Sequence, residues 1–287
     1  MNKSRLQGAA LATLLLGAGG AASAAEWSDT TLGYRYGTEF REPFNASKIK
    51  KDIFFFTHAS GYKYGSNFFN VDFLMSDSKD PAGANSTNGA QEAYIVYRHT
   101  LDIGKVMGKD LKWGWVRGWG VTAGFDLNTK NDAGYNSKKR MIVAGPTVMF
   151  DTPGFFNLSL LALHESNAPY NTFTNTSTPR YTYKTHAALA GSWGIPIGSL
   201  PLSFEGFFLH IGSKGRDEFG VATKPETNID MQLMLDAGAL AGGPKNTFKI
   251  GLEYQYWKNK FGNDPGQAGM AGGSLAKTPM IRLEYHF

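Results

Sequence analysis

The sequence contains no cysteine among its 287 residues. A disulfide scaffold, a thiolate metal site and a cysteine nucleophile are therefore excluded. No run of 18 apolar residues follows residue 24, so membrane-spanning helices are excluded as well. The 29 basic and 24 acidic residues are nearly balanced and form no extended Lys/Arg cluster. We therefore expect no nucleic-acid partner.

Motifs for cofactors and metals are also missing. No glycine-rich phosphate loop or dinucleotide fingerprint follows a predicted strand. The six histidines lie on different segments without the spacing of metal ligands. The sequence therefore predicts neither a bound cofactor nor a bound metal ion.

The first 24 residues have the three parts of a secretory signal peptide. Lys3 and Arg5 supply the positive charge, an apolar stretch follows, and residues 22–24 form a small-residue cleavage site. We expect an exported protein in which residues 1–24 are the signal peptide and residues 25–287 form a single domain.

Glycine (35 residues) and aromatic residues (14%) are abundant, and apolar and polar residues alternate along most of the chain. Transmembrane β-strands need about 9–11 residues with this alternation. In residues 228–236, for example, Ile229, Met231, Leu233 and Leu235 share one face. Twelve such segments are predicted, at 31–40, 52–60, 67–76, 90–102, 115–128, 140–150, 155–164, 181–193, 202–212, 227–237, 247–258 and 278–287.

The connections between these segments alternate in length. Those after odd-numbered segments are polar and mostly long, whereas those after even-numbered segments are short or contain Gly and Pro, with 103–114 as the exception. Long extracellular loops and short periplasmic turns have this pattern. The sequence therefore predicts an all-β protein, a 12-stranded antiparallel transmembrane β-barrel of the Gram-negative bacterial outer membrane, with both termini in the periplasm.

The last eight residues show the same alternation. Ile281, Leu283 and Tyr285 are predicted to face lipid, and the charged side chains between them to face a water-filled lumen. The terminal Phe287 is expected at the membrane interface, where aromatic girdles lie. It also resembles the signal that the barrel-assembly machinery recognises, and we expect that machinery to be a partner.

Four stretches carry a family resemblance: LGYRYGTEFREP (32–43), YRH (97–99), GVTAGFDLN (120–128) and the closing YHF (285–287). They are similar to the Tsx/OmpK family of nucleoside-specific outer-membrane channels. The resemblance implies a monomeric twelve-stranded barrel with a narrow lumen, through which nucleosides diffuse by way of weak binding sites, without catalysis.

A nucleoside offers a flat base and a hydroxylated sugar, so a selective lumen needs aromatic faces together with hydrogen-bonding groups; stacking on one base is worth about 1–3 kcal/mol. Binding must also be weak enough to permit exit. The substrate-binding candidates that the alternation places in the lumen are Arg35, Glu39, Phe54, Phe56, Asp72, Tyr94, Arg98, Asp126, Lys184, Asp230, Lys249, Glu253, Arg282 and Glu284.

A catalytic alternative comes from the stretch LHESNA (163–168). It resembles the His-x-Ser-Asn stretch of two outer-membrane lipid-hydrolysing barrels, the phospholipase A and lipid A deacylase families. That resemblance implies His164 as general base and Ser166 as nucleophile on the lipid-facing rim. A triad needs a third group to orient the histidine, but Thr178 occupies the expected position.

A third possibility is a structural or adhesion barrel whose extracellular loops carry the function. The longest loops, 165–180 and 259–277, are rich in Gly, Asn, Thr and Pro. They carry no recognisable binding motif, so the sequence gives this hypothesis no specific residue.

Overall fold

Twelve long antiparallel strands form a closed barrel in the computed structural model, which describes residues 25–134, 136–171, 175–267, 269–270 and 272–287; the predicted signal peptide lies outside these residues. Each strand pairs with the next in sequence, and β12 pairs with β1 to close the ring. The strands are β1 (Trp27–Phe40), β2 (Ile49–Tyr62), β3 (Gly65–Ser76), β4 (Gln91–Asp102), β5 (Val116–Lys130), β6 (Arg140–Phe150), β7 (Phe155–Asn167), β8 (His186–Pro196), β9 (Leu202–Ile211), β10 (Glu226–Asp236), β11 (Phe248–Lys258) and β12 (Leu275–His286).

Each of the twelve predicted segments overlaps one of these strands, and the predicted fold class is confirmed. The largest difference is in the segment predicted at 181–193, which is interrupted, so that β8 begins at His186. Tyr181–Thr182 form a separate two-residue ladder with β7. Its register differs by one residue from that of β8 with β7, so a single continuous strand is not possible there.

The two ends of the barrel differ in their connections. One end has the two-residue turn between β2 and β3, the four-residue turn between β6 and β7, and two short helices, α1 (Ile103–Met107) and α2 (Ala237–Leu240). Both ends of the described chain also lie there. The other end has the longer loops, so we assign it to the extracellular side.

The two short helices explain why some connections on the periplasmic side are longer than tight turns. Asp102 caps α1, since its side chain accepts a hydrogen bond from the Lys105 amide, and Asp236 caps α2 through the Ala239 amide. Gly108 ends α1 in the left-handed conformation, with φ at 63°.

No helix among the described residues is long and apolar enough to cross a membrane.

The outer face of the barrel is an apolar belt. Large apolar side chains on it are more than one third exposed: Leu32, Phe54, Phe73, Leu127, Ile142, Leu160, Leu189, Leu233, Leu252 and Ile281. Exposure of so much apolar surface to water would be unfavourable, whereas the hydrocarbon core of a membrane is a suitable environment for it. The predicted outward orientation of Ile281 and Tyr285 is confirmed, since both are about half exposed.

Phe55 makes the closest inward contact at the seam between β1 and β2. It lies flat against the backbone of Gly33, where an added methyl group would lie 2.0 Å from Phe55 Cζ. Glycine is therefore required at position 33 because any side chain would occupy the space of the ring. The ring is in turn held beside Arg35 and Arg282 of the lumen.

Substituting Gly33→Ala is expected to destabilise the barrel, because the methyl group must displace a buried ring. Overpacking of this kind costs about 1–3 kcal/mol. Urea unfolding of protein reconstituted in lipid vesicles, followed by gel mobility, measures the change. Gly83→Ala is the matched control, because its nearest neighbour would be Ser86 Cβ at 3.9 Å. Equal stability of both variants would contradict the packing described here.

Candidate binding site in the barrel lumen

Five ionised side chains form a network around the junction of β12 and β1, where the barrel closes. Arg35 on β1 contacts Asp72 on β3 at 2.6 Å and Glu253 on β11 at 3.0 Å. Arg282 on β12 contacts the same Glu253 at 2.8 Å and Glu284 at 2.7 Å. All five are mostly or fully buried, so each charge depends on its partner in place of water.

The two arginines of this network also enclose an aromatic ring. The guanidinium carbon of Arg282 lies 4.3 Å from the centroid of Phe55, and that of Arg35 lies 5.1 Å away. A desolvated guanidinium over a ring face gains about 2 kcal/mol or more. Phe55 therefore helps to hold both positive charges at fixed positions in the lumen.

Further ion pairs extend the network along the lumen wall. Towards the periplasm, His286 bridges Glu284 and Asp29 at 3.1 and 3.0 Å, and Lys249 contacts Glu205 at 3.2 Å. On the neighbouring strands, Arg98 of β4 contacts Asp126 of β5 at 2.6 Å, and the Tyr94 hydroxyl donates to the same carboxylate at 3.0 Å. The interior is thus lined with mutually paired charges.

A second ionic cluster, here called the loop cluster, lies at the extracellular end of the barrel. Its centre is Glu42, whose carboxylate lies 2.5 Å from Lys51, 3.1 Å from Lys260 and 3.6 Å from Lys130. Lys130 in turn contacts Asp80 at 3.0 Å and Asp132 at 2.7 Å. The three lysine side chains are at most 6% exposed. The cluster ties four extracellular loops, which carry Glu42, Asp80, Asp132 and Lys260, to β2 and β5.

The charges of the loop cluster determine the ionisation of Glu42. Burial by itself would raise the pKa of Glu42, but Lys130, Lys260 and Lys51 outweigh burial and hold that pKa well below its ordinary value. Burial lowers the pKa of Lys260, and Glu42 opposes this only in part. Ionised Glu42 is therefore the group that allows three ammonium groups to stay together.

The wall opposite β1 is apolar. Met141, Val143, Leu161, Leu163, Ala188 and Ile211 form one buried cluster on the inward faces of β6 to β9. In a ring of twelve strands, β7 lies six strands from β1, so this apolar wall faces the ionic network across the lumen. Two lumen-facing rings remain partly open: Phe68 is 40% exposed and Phe207 is 41% exposed.

Ten of the fourteen predicted lumen residues do face the lumen, and all of them except Asp230, which accepts a hydrogen bond from Gln255, belong to the contacts described above. They are Arg35, Asp72, Tyr94, Arg98, Asp126, Asp230, Lys249, Glu253, Arg282 and Glu284. Glu39 lies instead at the extracellular rim, in an exposed ion pair with Lys48. Lys184 is exposed in the connection before β8. A role of any of these residues in solute binding stays a prediction.

The predicted inward orientation of Phe54 and Phe56 is wrong. Phe54 lies opposite Tyr34, packs against its ring at 5.2 Å, and is 51% exposed on the outer belt. Asp52 and His58 share this outward face. The alternating pattern was ambiguous here, because apolar and charged residues occur near Phe55 at both odd and even positions. The packing of Phe55 against Gly33 shows that the odd-numbered positions of β2 face the lumen.

Three lumen features were missed from the sequence. Phe55 takes the inward position that was predicted for Phe54 and Phe56, the loop cluster draws on loops far apart in sequence, and the apolar wall has the same alternation as the other strands. Lys51 provided the one available indication that Phe55 faces inward. Both residues occupy odd positions of the strand, and a lysine rarely faces lipid.

The proposed catalytic pair lies on the lipid-facing rim, as predicted. His164 and Ser166 share the outward face of β7 and are directly opposite Ile142 and Arg140 of β6. The Ser166 hydroxyl accepts a hydrogen bond from Arg180 at 3.1 Å, and His164 Nδ1 lies 3.5 Å from the Thr185 hydroxyl. The contacts of the described residues thus couple Ser166 to an arginine, and not to a general base.

Within the described part of the chain, no group of three or more His, Asp or Glu side chains could hold a metal ion.

A closed barrel with an apolar outer belt and an ionised interior is an outer-membrane β-barrel protein, because only such a structure pairs all backbone groups within the hydrocarbon region while facing lipid.

No protein-family model and no curated relative matches the chain. Among solved structures, it is similar to a KdgM porin (10% identity, 90% of this chain and 99% of the other, TM-score 0.42). It is also similar to the translocator domain of the autotransporter NalP from Neisseria meningitidis (12% identity, 99% and 96% covered, TM-score 0.42). A third similar structure is a bacterial polysaccharide outer-membrane secretin (7% identity, 92% of this chain and 99% of the other, TM-score 0.43). These distant likenesses assign no function.

Replacing Glu42 by Gln is expected to destabilise the extracellular end, because three buried lysines lose their shared counter-charge. Breaking a buried ion pair costs about 3–5 kcal/mol. Lowering the pH should also destabilise the extracellular end. The pKa of Glu42 is depressed in the folded state, so its contribution is complete above the unfolded value of about 4.3 and is lost as pH falls through the folded value.

Urea unfolding in vesicles between pH 3 and 7 measures both effects. Glu39→Gln is the matched control, since it removes a carboxylate from the exposed pair with Lys48, where about 0–1 kcal/mol is expected. If Glu42→Gln and Glu39→Gln lose equal stability at pH 7, the central role of Glu42 is refuted.

Proposed function

We propose that the protein is a channel for small solutes that combine a flat ring with hydroxyl groups, such as nucleosides. The observation that carries this proposal is the surroundings of Phe207. Its ring faces the lumen on β9 and is 41% exposed. On β10, Asp230 lies directly opposite it, and Asn228 is the next inward residue.

Asn228 retains hydrogen-bonding capacity beside Phe207. Its Oδ1 is buried and has no hydrogen-bond partner among the described residues, whereas the Asp230 carboxyl group interacts with Glu253 and Gln255. An unsatisfied buried acceptor costs about 1–3 kcal/mol, so a hydroxyl group that reached the Asn228 oxygen would be favoured. A ring face beside a free acceptor suits a base joined to a sugar.

The two unlike walls of the lumen support the same solute class. The apolar cluster makes one side of the barrel interior nonpolar, and the ionic network makes the opposite side polar. Because the charges of that network are already paired with each other, they attract a neutral polar solute only weakly. Weak binding is what a diffusion channel requires.

The stretches that carry the resemblance to nucleoside-specific channels also supply lumen residues. Residues 32–43 contain Arg35 of the ionic network and Glu42 of the loop cluster, and residues 120–128 contain Asp126. The resemblance therefore includes residues of the barrel interior as well as the strand pattern. This supports nucleosides as the solutes.

In planar bilayers, the purified protein should conduct ions, and nucleosides should reduce the current more than sugars of similar size. Phe207→Ala should weaken the nucleoside effect about tenfold, because one base loses its stacking partner. The concentration of nucleoside that halves the current is the measured quantity.

Phe204→Ala is the control, since Phe204 lies on the same strand but on the outer face, and it should leave the nucleoside effect unchanged. Conductance that responds equally to nucleosides and sugars would reject the solute class. Absence of any conductance would reject the channel itself.

A further inference from the structure

A group of basic and hydroxyl-bearing side chains lies on the outer surface of the barrel above β6 to β8, here called the rim cluster: Arg140, His164, Ser166, Arg180 and Lys184. Arg140 is opposite Ser166 on the neighbouring strand. Arg180 reaches over both, since it donates to Ser166 Oγ at 3.1 Å and to the Lys138 carbonyl oxygen at 2.9 Å. The rim cluster includes the two residues of the His-x-Ser-Asn stretch.

The positive charges of the rim cluster are not neutralised by neighbouring carboxylates. Within the described ranges, no Asp or Glu oxygen lies within 4.0 Å of the side-chain nitrogens of Arg140, Arg180 or Lys184. The pKa of Arg180 is lowered, first by partial burial and then by the nearby charge of Arg140. Two guanidinium groups held together without an anion are a repulsive arrangement that a bound anion would relieve.

The depth of the rim cluster decides which anion can reach it. Arg140 is two residues from Ile142 on the same face of β6, and His164 is two residues from Ala162 on β7. Ile142 is 64% exposed within the apolar belt. Two residues of a strand span about 7 Å, so Arg140 and Ser166 lie at the level where lipid head groups begin, and His164, opposite Ile142, lies one step deeper. It faces outward, away from the lumen.

We propose that the rim cluster binds the phosphate groups of the phosphorylated glycolipid in the outer leaflet. Arg140 and Arg180 supply planar donors that match phosphate oxygens, and His164, Ser166 and Lys184 supply further polar contacts around them. Basic groups beside an apolar surface are the features by which membrane proteins recognise anionic lipid head groups.

This assignment accounts for the arrangement of His164 and Ser166 better than lipid hydrolysis does. The hydroxyl of Ser166 accepts a hydrogen bond from Arg180, which fixes the guanidinium on the outer face of β7, and no contact among the described residues couples this hydroxyl to a base. The site contacts lipid along the outer wall, so its occupation is independent of which solute crosses the lumen.

The test is binding of bisphosphorylated lipid A to detergent-solubilised protein, measured by native mass spectrometry, for the wild type and for Arg140→Gln/Arg180→Gln. The double variant should bind about tenfold more weakly, because it loses charge-assisted hydrogen bonds to phosphate. Dephosphorylated lipid A should bind weakly to both proteins. Inorganic phosphate alone should compete only poorly, since it lacks the acyl chains that contact the belt.

Arg117→Gln/Lys109→Gln is the matched control, because it removes two exposed cations from the periplasmic end. Binding that is equal for wild type and the rim double variant would overturn the proposal. So would wild-type binding that is indifferent to the lipid phosphates. Heat-dependent gel mobility verifies that each variant remains a folded barrel, and Ser166→Ala, which keeps both arginines, should retain most of the binding.

Discussion

Everything in this barrel depends on the absence of hydrogen-bonding partners in the lipid hydrocarbon. An unpaired backbone group costs several kcal/mol in that environment, so a sheet inside it must have no free edge. The pairing of β12 with β1 removes the last edge. Phe287 continues this pairing beyond β12, since its amide and carbonyl groups both bond to Thr30. Closure then forces alternate side chains into two environments, lipid and lumen.

Closure also explains the many ion pairs of the interior. Charged residues are acceptable only on the inward face, where several come together in a confined space. Arg35, Glu253 and Arg282 are at most 11% exposed, and they stabilise the barrel only because each has an opposite charge within hydrogen-bonding distance. Phe55 adds a shared contact, because both guanidinium groups lie against its ring, at 4.3 Å for Arg282 and 5.1 Å for Arg35.

The two proposed binding surfaces use the two faces that closure creates. In the lumen, Phe207 and the free acceptor of Asn228 offer contacts to a small ring-bearing solute. On the outer wall, Arg140 and Arg180 lie where the apolar belt ends and offer contacts to lipid phosphate. The histidine and serine that the sequence suggested as a catalytic pair belong to this second surface.

The sequence by itself determined the twelve strands, their alternating faces and the orientation of ten of the fourteen lumen candidates, because side-chain period two follows directly from strand geometry. It could not determine the face of Phe54, Phe55 and Phe56, since three consecutive aromatic residues satisfy either parity. Only the tertiary structure decided this point: Phe55 faces inward and packs against Gly33 of the neighbouring strand, where the missing side chain leaves room for the ring. Likewise, Glu42, Lys130 and Lys260 are far apart in sequence and meet only because closure of the barrel brings their strands and loops to one end of the lumen.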